Sequence, residues 1–178
     1  MQFGDEKSFK AQKMFSIVRN PIDVFPSFAS LMTTDSHSLQ FNENISERFP
    51  RWWNDYVRVI AECMRFNHEY VMDNISKQIP TLLMRYEDLV LDPEKVLSDL
   101  FCFLLEVRSI EGTVVEERIK TVVKAGHSKS IVYGLKQKEI RFNKSRDMID
   151  DRLFKDISEE LKDYITFFGY SNIGLNPE

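Results

Sequence analysis

The chain has 178 residues, of which 43% are hydrophobic and 29% are charged, and its formal net charge is −4. A chain of this length can bury a real core, so residues 1–178 are expected to form a single domain. The acidic balance argues against a general nucleic-acid-binding protein, and no apolar run is long enough to predict a transmembrane helix.

The first predicted element is a buried strand over residues 14–18, which ends at Arg19. The guanidinium of Arg19 keeps its charge and can bind a phosphate through two hydrogen bonds. Asn20 is a favourable N-cap residue, and the proline after it suits the first position of a helix. This pair predicts a helix over residues 21–32. Ser27 lies about two helical turns beyond Arg19. Because open α/β sheets bind ligands at the carboxyl ends of their strands, this segment predicts an anion site.

A polar stretch over residues 33–50 predicts a long loop or short helical pieces, and residues 51–78 predict a long helix. The apolar residues of this helix recur three and four positions apart, which is typical of a core or interface face. That face consists of Trp52, Tyr56, Val59, Ile60, Cys63, Phe66, Tyr70 and Val71. Cys63 and Cys102 lack the paired spacing of a metal site and are interpreted as buried free thiols.

A second strand is predicted over residues 81–84. Glu87 and Asp88 follow it, and because adjacent side chains point in different directions we interpret them as structural groups that hold the turn after the strand. Asp92 is the predicted N-cap of an amphipathic helix over residues 93–105, whose first residue is a proline.

In the rest of the chain, one helix is predicted before a basic stretch and another after it. A helix is predicted over residues 113–124, residues 126–145 fit no element, and one closing helix is predicted over residues 150–168. Gly169 is its predicted C-cap.

Two of these segments resemble one known family. Arg19-Asn-Pro-x-Asp-Val-x-x-Ser27 resembles the 3′-phosphate-binding segment of the sulfotransferases that use 3′-phosphoadenylyl sulfate. The strand that leads to Tyr86-Glu-Asp-Leu, followed by Asp-Pro and a helix, resembles a second unit of that family in the same order. The resemblance implies that Arg19 and Ser27 bind the 3′-phosphate and that Tyr86 contacts the adenine.

The resemblance also concerns the basic stretch after the helix over residues 113–124. In the family a late basic loop folds over the nucleotide, and Lys136, Lys138 and Arg141 occupy the corresponding place. These three residues are therefore candidate nucleotide contacts. The family's Arg-Lys-Gly triplet and its tryptophan are absent here, so a solvated basic loop is the alternative.

The implied fold is α/β, with a P-loop-type parallel sheet flanked by helices, and we expect it to be incomplete at the N-terminus. Only 13 residues precede the first strand, and they contain no glycine-rich loop of the kind that contacts the 5′-phosphosulfate. The family's catalytic histidine or carboxylate also lies upstream, so no catalytic residue is assigned. We expect this chain alone to be marginally stable and catalytically poor.

The expected function is transfer of a sulfuryl group from 3′-phosphoadenylyl sulfate to a hydroxyl or amine of a small-molecule or glycan acceptor, without a metal. One alternative is a non-catalytic fragment that binds adenosine 3′,5′-bisphosphate or a protein partner. Another is a helical interaction domain that docks a partner through the aromatic helix. The expected location is the cytoplasm, or the Golgi lumen if an anchor precedes this sequence.

Overall fold

The computed structural model describes residues 12–34, 45–126 and 146–170. These ranges contain two strands, eight α-helices and one short 3-10 helix, Arg146–Met148. In chain order the strands and α-helices are β1 (Met14–Val18), α1 (Pro21–Thr34), α2 (Ile45–Arg48), α3 (Pro50–Ser76), β2 (Thr81–Arg85), α4 (Tyr86–Leu91), α5 (Pro93–Leu105), α6 (Val114–Gly126), α7 (Asp151–Glu160) and α8 (Lys162–Phe167).

The two described strands pair in parallel, with Met14 opposite Thr81 and Val18 opposite Arg85. The chain returns from β1 to β2 through helices, which is the long crossover that parallel pairing requires. The predicted α/β class is therefore confirmed, although helices dominate and the sheet has only these two strands in the described ranges. Because parallel strands end at the same edge, the residues after Val18 and after Arg85 lie side by side.

The larger of two hydrophobic clusters lies between α1, α3 and the pair α7–α8. Phe25, Trp53 and Val57 are at most 1% exposed and form its centre. The other buried members are Ile22, Ala29, Tyr56, Ala61, Ile149, Leu153, Ile157, Leu161, Tyr164, Phe168 and Tyr170. A smaller cluster of Ile110, Ile119 and Val123 lies between α5 and α6.

The apolar face predicted for α3 is only partly buried: Tyr56 and Val71 are in the core, but most of its large side chains are exposed. Trp52, Val59, Phe66 and Tyr70 are between 41% and 64% exposed. The buried stripe instead begins at the next residue along, with Trp53, Val57 and Ala61 among its members. Each residue turns the helix by about 100°, so a shift of one position selects a different face. Both stripes show helical spacing, and only the packing against α1 and α7 decides between them.

The cysteine prediction is half confirmed. Cys63 and Cys102 are both free thiols, but Cys63 lies on the exposed face of α3 and Cys102 is half-buried. The same choice of helix face explains the error, because Cys63 belongs to the stripe that packing left outside the core.

The helix ends follow their predicted signals. Asp92 caps α5, where its Oδ1 accepts a hydrogen bond of 3.2 Å from the amide of Lys95. Gly169 follows α8 with φ +71°, a conformation that glycine adopts without strain. The amide of Tyr170 donates to the carbonyl of Ile165 at 2.8 Å, and that of Gly169 to Thr166 at 3.3 Å. These two bonds form a Schellman motif that ends the helix and turns the chain towards Tyr170.

The single closing helix predicted over residues 150–168 is divided into α7 and α8. Leu161 separates them with φ −101° and ψ 14°. Its amide still bonds to Ile157 at 2.9 Å and its carbonyl accepts from Ile165 at 2.8 Å. Because the apolar spacing continues across Leu161, the sequence pattern carries no sign of the break.

The remaining predicted strands and helices agree with the structure within two residues at each end. The predicted loop over residues 33–50 lies largely outside the described residues, and its described end contains α2. No described helix combines the length and hydropathy needed to cross a membrane.

Candidate functional site

Three of the six residues predicted to bind the nucleotide lie together at the carboxyl edge of the sheet. Arg19 follows β1, Tyr86 follows β2, and Ser27 lies one helical turn and a half into α1. The Nη1 atom of Arg19 donates to the Oγ of Ser27 at 3.4 Å. The Cζ of Arg19 lies 4.7 Å from the centre of the Tyr86 ring. We call these three residues the Arg19 cluster.

The charge of Arg19 is not neutralised by any carboxylate in the described part of the chain. Its guanidinium contacts there are with Ser27 and the Tyr86 ring. Arg85, at the end of the neighbouring strand, is different, because Asp88 accepts two hydrogen bonds from it at 2.9 and 2.6 Å. Among the described residues, the Arg19 cluster therefore presents a positive charge without a carboxylate partner, which suits an anionic ligand.

Asn20 caps the N-terminus of α1, so the helix begins directly after Arg19. The Oδ1 of Asn20 accepts a hydrogen bond of 3.0 Å from the amide of Ile22. The carbonyl of Asn20 accepts from the amides of Asp23 and Val24 at 3.1 and 3.2 Å. The first amides of α1 are thus already bonded, so the helix can favour an anion only through its dipole and through the hydroxyl of Ser27.

The backbone around Arg19 is held by side chains from distant parts of the chain. The hydroxyl of Tyr164 donates to the carbonyl of Arg19 at 2.7 Å and accepts from its amide at 3.2 Å. The carboxylate of Glu87 accepts from the amide of Asn20 at 2.9 Å and from the hydroxyl of Tyr170 at 2.7 Å. Glu87 is only 3% exposed.

The two tyrosines are residues that the sequence interpretation missed. Burial raises the pKa of Tyr164, and burial together with the hydrogen bond to Glu87 raises the pKa of Tyr170, so both hydroxyls stay protonated. The available signal was their place among the apolar residues of the closing helical segment, because a buried tyrosine hydroxyl normally finds a partner. Asp88 holds the turn after β2 through Arg85, as interpreted, whereas Glu87 bonds instead to Asn20 after β1 and to Tyr170.

Lys136, Lys138 and Arg141 lie outside the described residues, as do His37 and His127. His68 is described, and its ring lies between 5.5 and 5.9 Å from those of Tyr164, Phe167 and Phe168. Desolvation by this aromatic surrounding lowers the pKa of His68, which favours the neutral ring.

A groove in the described residues lies apart from the Arg19 cluster. An apolar groove of about 370 Å³ between α5 and α6 is lined by Leu97, Phe101, Val114, Val115, Arg118, Ile119 and Val122. It shares no residue with the cluster. Across residues 12–34, 45–126 and 146–170, no three His, Cys, Asp or Glu side chains converge as a metal site would require.

Comparison with known proteins identifies a family that matches this chain. A family model described as "Sulfotransferase family" matches residues 9–106, which is more than half of the chain. The matched segment contains Arg19, Ser27, Tyr86 and Glu87 and ends just after α5. Searches of curated proteins and of solved structures give no significant match.

Proposed function

Because the chain belongs to the sulfotransferase family, we propose that its Arg19 cluster binds the 3′-phosphate of 3′-phosphoadenylyl sulfate and so holds the donor for sulfuryl transfer. The proposed acceptor is a hydroxyl or amine of a small molecule or glycan. The observation that carries the proposal is the position of an arginine, paired with no carboxylate of the described ranges, beside a serine hydroxyl and an aromatic ring at the carboxyl edge of a parallel sheet.

The chemistry of the cluster fits an adenosine nucleotide. Arg19 uses one N–H on Ser27 and keeps further donors for phosphate oxygens, while the Ser27 hydroxyl can donate to the same group. The Tyr86 ring is 42% exposed, so it retains free surface for a nucleobase even though the guanidinium covers part of it. Lys136, Lys138 and Arg141 remain proposed additional contacts to the 3′-phosphate.

In the proposed reaction the described residues bind and orient the donor. The bond between sulfur and the bridging phosphate oxygen breaks, a bond from sulfur to the acceptor oxygen or nitrogen forms, and the acceptor loses a proton. Adenosine 3′,5′-bisphosphate leaves with the bridging oxygen. Fixing the 3′-phosphate far from the reacting atoms contributes by orientation, because a displacement in line needs both partners held in one geometry.

Titration calorimetry with adenosine 3′,5′-bisphosphate tests the binding. Arg19→Ala should weaken it about 10- to 150-fold, as expected when one charge-assisted contact worth about 1.5–3 kcal/mol is lost. Arg85→Ala is the matched control, because Arg85 also stands at a strand end but is paired with Asp88, and it should change the affinity much less. Adenosine 5′-phosphate, which lacks the 3′-phosphate, should bind the wild-type protein and Arg19→Ala equally weakly. Equal affinity of wild type and Arg19→Ala for the bisphosphate would reject the proposal.

The second candidate is a protein that binds the bisphosphate or a partner without turnover. The exposed aromatic row of α3, which includes Trp52, Phe66 and Tyr70, favours a partner-binding role. Incubation with labelled donor and a panel of hydroxyl and amine acceptors separates the two, because only the enzyme releases adenosine 3′,5′-bisphosphate together with a sulfated acceptor.

A further inference from the structure

We propose that the buried carboxylate of Glu87 and the hydroxyls of Tyr164 and Tyr170 act as positioning groups that set where the Arg19 guanidinium lies. This inference rests on the proposed function, since it concerns the same nucleotide site. None of the three groups contacts the guanidinium itself. They act through the backbone of residues 19 and 20.

Glu87 connects the ends of the two strands. One of its oxygens accepts from the amide of Asn20 at 2.9 Å, and the other accepts from the hydroxyl of Tyr170 at 2.7 Å. Glu87 also follows Tyr86 directly in the chain, so its carboxylate fixes the turn after β1 relative to the residue whose ring contacts Arg19. The distance between Arg19, which follows β1, and Tyr86, which follows β2, therefore depends on Glu87.

Tyr164 holds the peptide groups on both sides of the Arg19 α-carbon. Its hydroxyl bonds to the Arg19 amide at 3.2 Å and to the Arg19 carbonyl at 2.7 Å. The rings of Tyr164 and Tyr170 are stacked with centres 6.0 Å apart, so the two hydroxyl groups are held by one aromatic pair. Side chains thus bond three successive backbone groups: the amide of Arg19, the carbonyl of Arg19 and the amide of Asn20.

Stability alone gives a poor account of this arrangement. A buried carboxylate loses its hydration, and apolar residues of similar size often stabilise a core as well or better. Here both oxygens of Glu87 are used to bond groups that define the position of Arg19 relative to Tyr86. Tyr164 and Tyr170 also lie beyond residues 9–106, the segment that matches the family model, so this chain completes the site with residues from outside that segment.

The first test compares two buried tyrosines that differ in their link to Arg19. Tyr164→Phe removes both hydrogen bonds to the Arg19 backbone, and it should weaken binding of adenosine 3′,5′-bisphosphate by at least about 2- to 12-fold, the effect of one such bond. Tyr56→Phe is the matched control, because the Tyr56 hydroxyl also bonds to a backbone carbonyl near Arg19 in sequence, that of Phe25 at 2.7 Å. It should lower stability to a similar degree and leave the affinity within about 2-fold. Equal affinity losses for the two variants would overturn the proposal, since a general loss of stability would then suffice.

Glu87→Gln and a double-mutant cycle test whether the effect passes through Arg19. Glu87→Gln keeps the size of the side chain and removes its charge, and it should weaken binding in the wild-type background. In the Arg19→Ala background neither Glu87→Gln nor Tyr164→Phe should cause a further loss. Additive losses in that background would show that these residues act on the nucleotide by another route and would refute the positioning role.

A nucleotide-free measurement separates this inference from the proposed function. The Arg19 Nε–H proton should show a ring-current shift from Tyr86, which Tyr86→Leu identifies by removing it. Tyr164→Phe and Glu87→Gln should reduce that shift, and Tyr56→Phe should not. If wild type fails to bind the bisphosphate, the proposed function is rejected and the shift still decides the positioning role. If Arg19→Ala weakens binding as expected while Tyr164→Phe and Glu87→Gln change neither affinity nor shift, the proposed function stands and the positioning role is rejected.

Discussion

The charge of Arg85 is compensated within the protein. Asp88 accepts two hydrogen bonds from the guanidinium, and this contact lowers the pKa of Asp88 below its ordinary value of 3.8. Both side chains remain more than a third exposed, so water screens the pair and its contribution to folding is at most about 1 kcal/mol. Arg85 also donates to the carbonyl of Phe168 at 3.4 Å, which links β2 to the end of α8.

The pH dependence of stability should report this pair. Because the pKa of Asp88 is lower in the folded than in the unfolded state, the stabilisation is complete above about pH 5, where both states are ionised, and it is lost as the pH falls through the folded value. The free energy of unfolding should therefore fall more steeply as the pH is lowered below about 5 for wild type than for Asp88→Asn, as urea titrations at each pH would measure. Asp99→Asn, at an exposed position of α5, should follow the wild-type curve. A parallel loss in wild type and Asp88→Asn would show that the pair contributes nothing.

At the scale of elements, α3 is the helix that joins the two ends of the described chain. Its buried stripe packs against α1 and α7, and the hydroxyl of Tyr56 bonds to the carbonyl of Phe25 in α1. On the α7 side, Arg58 pairs with Asp156 at 2.5 Å and Arg65 pairs with Glu160 at 2.5 Å. The neighbouring Trp52 lies at the surface, stacked on Tyr56 with ring centres 5.1 Å apart.

The two adjacent tryptophans of α3 should differ sharply on substitution. Trp53 is 1% exposed at the centre of the larger cluster, so Trp53→Ala should cost about 3–5 kcal/mol of unfolding free energy. Trp52 is 41% exposed, and Trp52→Ala should cost about 1 kcal/mol, chiefly through the lost stacking on Tyr56. Urea midpoints with unchanged slopes would measure both values. Similar costs at the two positions would contradict the observed facing of α3.

At the scale of the whole molecule, the segment that matches the family model does not contain a complete core. Residues 9–106 include α1 and α3. The buried surface of these helices is completed by Leu153, Ile157 and Leu161, which come from α7 and the turn after it. The smaller cluster between α5 and α6 has its own apolar residues, so the described molecule has two centres of packing.

Hydrogen exchange should resolve these two centres. Ile119 is 4% exposed within the smaller cluster, and Ile119→Ala should reduce amide protection in α6 and the facing part of α5 while leaving α3 and α7 unchanged. Leu153→Ala, at a position that is 2% exposed in the larger cluster, should reduce protection in α1, α3 and α7. Mass spectrometry of peptic fragments would measure both patterns. A uniform loss of protection in Ile119→Ala would show that the two clusters unfold as one unit.

Local signals in the sequence predicted the elements well, because the residues that specify them are neighbours. The apolar run before Arg19, the proline that opens α5 and Gly169 each act within a few residues. The facing of α3 could not be predicted, since two stripes have the same period and their choice depends on α1 and α7. The side-chain members of the Arg19 cluster were predicted together, whereas Tyr164, which is 145 positions away from Arg19, was not.

That separation of 145 positions has a consequence for the newly synthesised protein. Ribosomes add about 5–20 residues per second, so Arg19 precedes Tyr164 by roughly 7–30 s. During this interval a nascent chain already displays the Arg19-Asn-Pro motif, but the hydroxyl that holds the Arg19 backbone has not been made. A chain released before α8 therefore carries the Arg19-Asn-Pro motif without the two hydrogen bonds that Tyr164 makes to the Arg19 backbone in the complete chain.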